Sequence, residues 1–429
     1  MVKIRIAYIC HFSTPQIREK LQLRTLFWGN LFRRLAGLSK LEYCDSGTWN
    51  EDFIKAFENK NKYECFVVGH HLGVKREKQK FTMRGVNYVF FQEKEYVAKK
   101  VLNHIFRRQT EQDYNFCIKQ LNSEIKKINP DVVVVCGAEN AIYSPSVLCV
   151  QNKPIFVFLQ TLLNLPKRIK MEIGSPERRI IEDLVIAHAQ YFGTIEHEEK
   201  EYIKKKNPKA QCLKLMFPLD KPDVKISKNK KFDFVFFANG LSKHKGAEDT
   251  LHGFIRVCRK YPSAGLLMIG TCSDEYKHYL LNILEKNGCE RNVTFIDHFP
   301  LKSDMLHQVT KSRFVVLPSI TAALNSTVRE SMYLRIPTIV YGTSITNDIN
   351  ASQQNLLEAQ MENVDDLGEK MIYAYEHPNE MGKMADRAFH YAEEHFSTKS
   401  VGDTLEADVE AIINHYYKDE RISNNLLLM

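Results

Sequence analysis

The 429-residue sequence has no apolar run long enough to cross a bilayer. Its longest uncharged stretch, Phe314–Val328, is 15 residues and contains Pro318, Asn325 and several hydroxyls. A span needs roughly 20 mostly apolar residues. The opening MVKIRIAYIC carries Lys3 and Arg5 inside its apolar run and has no small-residue cleavage site, so it reads as a first strand and not a signal peptide. The ten cysteines are scattered singly from Cys10 to Cys289, with no CxxC pair and no Cys/His set at zinc spacing. Several sit in apolar runs (Cys65, Cys136, Cys149), which predicts buried, reduced thiols and a cytoplasmic location. No GxGxxG follows the first strand, where the loop reads CHFSTPQIRE (10–19), and GxxxxGK[ST], GxSxG, HExxH and the kinase motifs are absent. Ordinary dinucleotide dehydrogenases and P-loop ATPases thereby lose their main signal. No helix-turn-helix, zinc-finger or RNP-type signature is present, so no nucleic-acid partner is expected.

What is present is ordinary soluble composition, 44% apolar and 26% charged, at a length that suggests two or three domains. The charge is uneven. Residues 1–216 carry 36 Lys/Arg against 23 Asp/Glu, and residues 217–429 carry 24 against 29. The basic half either faces something anionic, such as a membrane surface or a phosphorylated substrate, or simply exposes solvated helices. Arg33, Arg34, Lys99, Lys100, Arg107, Arg108, Lys126, Lys127, Lys167, Arg168, Lys170 and Lys204 to Lys206 are expected to form its positive surface.

Short, almost continuous Val/Ile/Phe-rich runs punctuate the chain: IRIAYIC (4–10), ECFVVG (64–69), DVVVVCG (131–137), PIFVFLQ (154–160), FDFVFFA (232–238), AGLLMIG (264–270), RFVVLPS (313–319) and PTIVYG (337–342). Strands without in–out alternation are buried on both faces, as in parallel sheets covered by helices. Segments of helical period lie between them, for example 174–187, 247–260, 273–287 and 302–311. This alternation predicts α/β architecture with two doubly wound parallel-sheet domains. The stretch FPLDKPDVKISKNKKFD (217–233), with two prolines and five lysines, is the expected linker. The domains then span 1–216 and 217–390, with 391–429 a terminal helix returning toward the first.

Ligands of open α/β sheets bind beyond the carboxyl ends of strands, where a loop feeds a helix N-terminus. In FVFFANGLSKHKGAEDTLHGFIRV a buried strand leads through Lys243, Lys245 and Gly246 into an amphipathic helix. A lysine at such a turn is a natural phosphate contact, or else a solvated surface residue. In SRFVVLPSITAALNSTVRESMYLRIPTIVYG (312–342), Asn325 or Ser326 is placed to cap the helix carrying Glu330. Its N–H groups and dipole suit a pyrophosphate, and Glu330 suits a vicinal diol such as a ribose. Glu330 paired with Arg329 or Arg335 is the other reading.

With these residues the second half resembles the nucleotide-binding domain of retaining GT-B-fold glycosyltransferases of the large group 1 (family 4) type. The element at 234–258 is similar to the family's Gly-Arg-Leu…Lys-Gly, and 293–341 is similar to its V-x-F, Pro-Ser, Glu-x7-Glu, Gly-x-Pro-Val-Val run. The resemblance spans roughly residues 230–415, and the first half only in outline. It implies the GT-B fold and transfer of a sugar from a nucleoside diphosphate to a glycan or lipid-linked acceptor, in cell-surface polysaccharide synthesis. It implies no metal and no cofactor beyond the donor, and no DxD set stands in a suitable loop. Lys245 would contact pyrophosphate, Glu330 the ribose, and His298 with Phe299 the base. Asn325, Ser326, Thr327 and Val328 would offer N–H groups to the phosphates.

Three positions depart from the family's pattern. Its first Glu falls at Ala322, its phosphate-binding Arg at Gly240 after Asn239, and its first-domain His at Gln160. Gln160, His11 and His71 are the candidate catalytic groups, with Arg18 and His70 nearby in sequence terms. The His70–His71 pair is not expected to bind metal, since neighbours on a strand face opposite ways. A non-catalytic relative acting as a glycan-binding or scaffolding partner is the alternative, favoured by Ala322, Gly240 and Gln160. A phosphorylase or epimerase of the same fold is a third. The enzyme reading places the chain in the cytoplasm, peripheral at the inner membrane face through its basic half.

Overall fold

The computed structural model describes residues 3–25, 27–35, 37, 43, 45–92, 115–299, 301–320 and 324–429. The chain forms two compact units, Met1–Pro218 with Val401–Met429, and Leu219–Ser400. Ala322, Lys99, Lys100, Arg107 and Arg108, singled out above, lie outside the described residues.

The first unit is built on strands β1 (Ile4–Ile9), β2 (Tyr63–His71), β3 (Lys78–Met83), β4 (Val86–Gln92), β5 (Val132–Cys136), β6 (Ile155–Phe158), β7 (Tyr191–Thr194) and β8 (Gln211–Lys214). Their order is β3-β4-β2-β1-β5-β6-β7-β8. All neighbours run parallel except β3 with β4. The Val132–Val135 side chains are fully buried because helices cover both faces of the sheet. The one antiparallel pair is a two-residue hairpin through Arg84 (φ 49°) and Gly85 (φ 78°). Positive φ at both turn positions matches the right-handed strand twist. Lys78 and Lys80 on outermost β3 both pair with the buried Glu124.

At the other edge the chain terminus covers β8. Lys214 N–H donates to the Leu426 carbonyl (2.7 Å) and Leu428 N–H to the Cys212 carbonyl (2.9 Å). Leu428 is thereby part of the first unit's core.

The second unit holds β9 (Phe232–Gly240), β10 (Leu266–Thr271), β11 (Val293–Ile296), β12 (Ser312–Leu317), β13 (Thr338–Tyr341) and β14 (Leu357–Ala359). Its order, β11-β10-β9-β12-β13-β14, is wholly parallel. Numbered from β9 this is the doubly wound 3-2-1-4-5-6 arrangement, and strand order reverses between β9 and β12. The observed helices Pro176–His188, Ala247–Lys260, Asp274–Glu285 and Lys302–Val309 fall on the four expected segments. Leu219 N–H bonds the Phe396 carbonyl (2.7 Å), and Thr398 N–H bonds Asp220 (2.8 Å), which ties the unit's entry to its exit.

The terminal helix Thr398–Lys418 belongs from Val401 on to the first unit. There Glu406 pairs with Lys60 and Glu410 with Lys62, while the Tyr191 hydroxyl meets His415 Nδ1 at 2.7 Å. Among the described residues no helix is long and apolar enough to cross a membrane.

Asp408 on this helix is fully buried, and neither carboxylate oxygen has a hydrogen-bond partner. Burial holds its carboxyl well above the usual carboxylate range. A folded-state pKa above the unfolded one stabilises at low pH, and that contribution is lost as pH rises past about 4. Asp408→Asn should therefore raise stability near pH 8 by on the order of 1–3 kcal/mol, because an amide has no proton to lose and avoids the cost of ionising a buried carboxyl. The gain should shrink toward pH 4, and urea denaturation at the two pH values measures it.

Candidate functional site

The reversal of strand order between β9 and β12 leaves a crevice at their carboxyl ends. Beyond β9 the chain turns through Lys243–Lys245 and Gly246 into helix Ala247–Lys260. Gly246 has φ 85°, and a Cβ there would lie 2.2 Å from the Pro318 carbonyl oxygen. The close approach brings the turn onto the loop after β12, where Ile320 N–H donates to the His244 carbonyl (3.0 Å). Lys245 is half-buried in this turn, and burial lowers its ammonium pKa.

The same loop feeds helix Ser326–Tyr333. Asn325 occupies its N-cap position, but neither Asn325 nor Ser326 makes the side-chain cap expected from the sequence. The first N–H groups of a helix have no intrahelical acceptor. Val328 and Arg329 N–H donate to the Asn325 carbonyl (3.1 and 3.4 Å), so among the described residues only the Ser326 and Thr327 N–H groups lack an acceptor, at the positive end of the dipole.

In front of this helix lies a cavity of about 270 Å³. It is lined by Asn239 from β9, Gly270 from β10, Asp297, His298 and Phe299 after β11, Lys302 and Met305 of the next helix, and Ser326, Thr327 and Glu330. Five expected donor-site residues thus converge: His298, Phe299, Ser326, Thr327 and Glu330. Asn325 and Val328 line a separate recess with Ser319 and Tyr341, and Lys245 is in the adjoining turn.

Glu330 pairs with neither arginine considered above. Its side chain is 2% exposed and accepts from Lys302 Nζ at 2.6 Å. Arg335 instead lies over the Phe389 ring, and Arg329 over Phe396. Sequence reasoning missed Lys302, which reads there as a solvated residue opening a helix. The signal that finds it is its position three residues beyond Phe299, at the start of the helix that follows. A cation and an anion thus share one wall, beside open N–H donors.

In the first unit the candidates sit beyond three strands. His11 follows β1, Gln160 follows β6 and is exposed, and His71 ends β2 and is buried. Gly73 N–H donates to His71 Nδ1 (3.1 Å), which leaves the proton on Nε2, facing Ser13 Oγ at 3.1 Å. Arg18 donates to the same hydroxyl (2.9 Å) and pairs with Asp45 (2.7 Å). His70 faces the other way, toward Gln120 (3.2 Å).

A buried acidic group lies behind this edge and was not read from the sequence. Glu182 accepts the N–H groups of Leu163 (2.7 Å) and Asn164 (2.8 Å), which fixes the loop bearing Gln160. Burial pushes its carboxyl up to about 7. Arg168, expected on the positive surface, is instead buried between Glu199 (3.4 Å) and Glu196 (3.7 Å). Burial raises both carboxyls; Glu199 and Glu198 raise Glu196 further, and Glu198 raises Glu199. Such charges are stable inside only when paired. Among the described residues no group of three or more His, Cys, Asp or Glu is placed to hold a metal ion.

Two parallel-sheet α/β units with terminal helices constitute the GT-B fold. Residues 220–392 match the family of glycosyl transferases group 1. No curated protein matches this sequence. Sucrose-phosphate synthase from Thermosynechococcus elongatus is similar in fold, with TM-score 0.60 at 10% identity over 95% of this chain and 98% of that one. A trehalose-6-phosphate protein from E. coli, bound with UDP-2-fluoro glucose, gives 0.63 at 10% over 95% and 99%. HepE from Anabaena, in complex with UDP and glucose, gives 0.58 at 12% over 95% and 100%.

Two substitutions test the geometry. Lys302→Ala leaves the buried Glu330 carboxylate without its partner and should cost about 1–2 kcal/mol, limited by the exposure of the lysine. In the double-mutant cycle with Glu330→Gln much of that loss should disappear, as read by urea denaturation. Gly246→Ala should cost at least about 1–3 kcal/mol from backbone strain, with the Pro318 clash added. An unchanged unfolding midpoint for Gly246→Ala would mean that the two loops do not meet this closely.

Proposed function

We propose that the chain is a glycosyltransferase using a nucleoside-diphosphate sugar, with a glycan or lipid-linked molecule as acceptor. The observation that carries the reading is the cavity at the β9/β12 reversal. It places the ion pair of buried Glu330 and exposed Lys302 beside an uncapped helix N-terminus, within the stretch matching glycosyl transferases group 1. The fold's likeness to proteins solved with UDP-2-fluoro glucose and with UDP and glucose supports the same class of donor.

In this reading Glu330 accepts hydrogen bonds from the ribose hydroxyls, using the oxygen that Lys302 does not occupy. His298 and Phe299 lie against the base. The diphosphate meets the N–H groups of Ser326 and Thr327, with Lys245 and Lys302 close enough to share its charge. As the bond from the sugar C1 to the phosphate oxygen breaks, that oxygen takes the electron pair, and fixed dipoles and ammonium groups stabilise it. The acceptor oxygen forms the new bond to C1, and its proton passes to the departing phosphate oxygen. Charge stabilisation of this kind requires no divalent ion. Transfer with retention of configuration, a role in cell-surface polysaccharide synthesis, and a cytoplasmic site of action at the inner membrane face complete the proposal. The first unit would then take the acceptor, with Gln160, His11 and His71 as the candidate catalytic groups.

A scaffolding relative is the second reading. It is favoured by neutral Gly240 and by the exposed, neutral Gln160. Slow hydrolysis of a bound nucleotide sugar by the protein alone would distinguish the enzyme from the scaffold.

The test is a thermal-shift screen of nucleotide sugars, followed by calorimetry with UDP, GDP and ADP. A true donor at a hundred times its dissociation constant adds about 2.7 kcal/mol of stability. Lys245→Ala and Glu330→Ala should each weaken binding about tenfold, which corresponds to about 1.4 kcal/mol. No detectable binding of any of the three nucleotides would overturn the reading.

A further inference from the structure

From Lys20 to Leu41 the sequence has five cations (Lys20, Arg24, Arg33, Arg34, Lys40) and no acidic residue. Inside this stretch lies the helix Phe27–Leu35, FWGNLFRRL. At 100° per residue Phe27, Leu31 and Leu35 fall along one line, and Phe32 adjoins it. In a soluble protein that stripe would face a core. Here the four side chains are 70%, 41%, 78% and 59% exposed in the same order. They account for four of the fifteen large apolar side chains exposed among the described residues, within nine positions. Single exposed leucines are normal, but a contiguous stripe marks a contact surface.

The helix enters from a segment held against the end of β2. Leu23 bridges Val74, Arg24 N–H donates to the Gly73 carbonyl (2.8 Å), and Lys75 N–H donates to the Gln22 carbonyl (2.9 Å). Arg24, Lys75 and Arg76 are therefore gathered at the helix entrance, and all three are exposed, as is Arg34. The apolar stripe is flanked by positive charge.

We propose that helix Phe27–Leu35 docks the protein on an anionic lipid bilayer. Its apolar stripe enters the boundary between headgroups and acyl chains, and Arg24, Arg34, Lys75 and Arg76 meet lipid phosphates. Short amphipathic helices with Phe/Leu on one face and cations beside it bind bilayers in this orientation. A second copy of the chain is a poorer occupant, because a two-fold contact would set these cations against each other. The helix is also only about 14 Å long, too short to fill the roughly 800 Å² per partner of a stable interface. The inference rests on the lipid-linked acceptor of the reading above, but its test requires no catalysis.

The full chain is sedimented with vesicles of phosphatidylcholine alone and with one-third phosphatidylglycerol, at 0.1 M and 1 M NaCl. Binding should appear with the anionic vesicles at low salt and fall sharply at 1 M, where screening shortens to about 3 Å. Phe32→Ser with Leu35→Ser should reduce partitioning about tenfold, while the thermal midpoint stays unchanged because both side chains are exposed. Arg24→Glu with Lys75→Glu should remove the preference for phosphatidylglycerol. Wild-type partitioning by the Phe32→Ser/Leu35→Ser variant, or no binding to either vesicle, overturns the proposal. So does a dimer in sedimentation velocity that this variant converts to monomer. Calorimetry with UDP on the same samples separates the two readings, since nucleotide binding can fail while vesicle binding persists.

Discussion

The geometry of the cavity in the second unit depends on one contact in which no side chain takes part. Gly246 approaches the Pro318 carbonyl so closely that any Cβ would overlap its oxygen. That approach locks the turn after β9 to the loop after β12, the two strands between which the order reverses. It determines where the half-buried Lys245 is held and where the helix bearing Glu330 begins. A crevice at a strand reversal is a property of the fold, but its usable form comes from this packing of backbone on backbone. The cation–anion pair of Lys302 and Glu330 then gives the crevice a polar wall.

The two units handle buried charge differently. In the second, one carboxylate and one exposed lysine meet at the wall of an open cavity, so a ligand can compete for both. In the first, Arg168 is enclosed by Glu196 and Glu199, and Glu182 is spent on two backbone N–H groups. Those groups hold the loop after β6 in place. The carboxyls there are raised by burial, which makes the closed network sensitive to alkaline pH, and the sensitivity belongs to the scaffold.

The parallel strands were legible because burial on both faces leaves uninterrupted apolar runs, as in Val132–Val135. Short β7, β8 and β14 have no such run, since YFGT, QCLK and LEA rely on neighbours for their pairing. The β3–β4 hairpin was missed because an edge strand alternates polar and apolar residues, and its turn uses Arg84 where Asn or Asp is the familiar signal. At the cavity, Ser326 and Glu330 were singled out from their place at a helix N-terminus, whereas His298, Phe299 and Thr327 came only with the family resemblance. Lys302 was missed, because what distinguishes it is a partner 28 residues away, Glu330. Arg168 was misread as a surface charge for the same reason: Glu196 and Glu199 lie a helix and a strand further on.

The first unit is discontinuous in sequence, with Leu219–Ser400 inserted before its last helix and edge cover. During synthesis, then, the second unit leaves the ribosome whole while the first still lacks Val401–Met429. Domains generally fold as units, N-terminal ones first. Here the unit that starts the chain is the last to be completed. Until its final residues arrive, the backbone edge of β8 and the lysines that pair with Glu406 and Glu410 remain open.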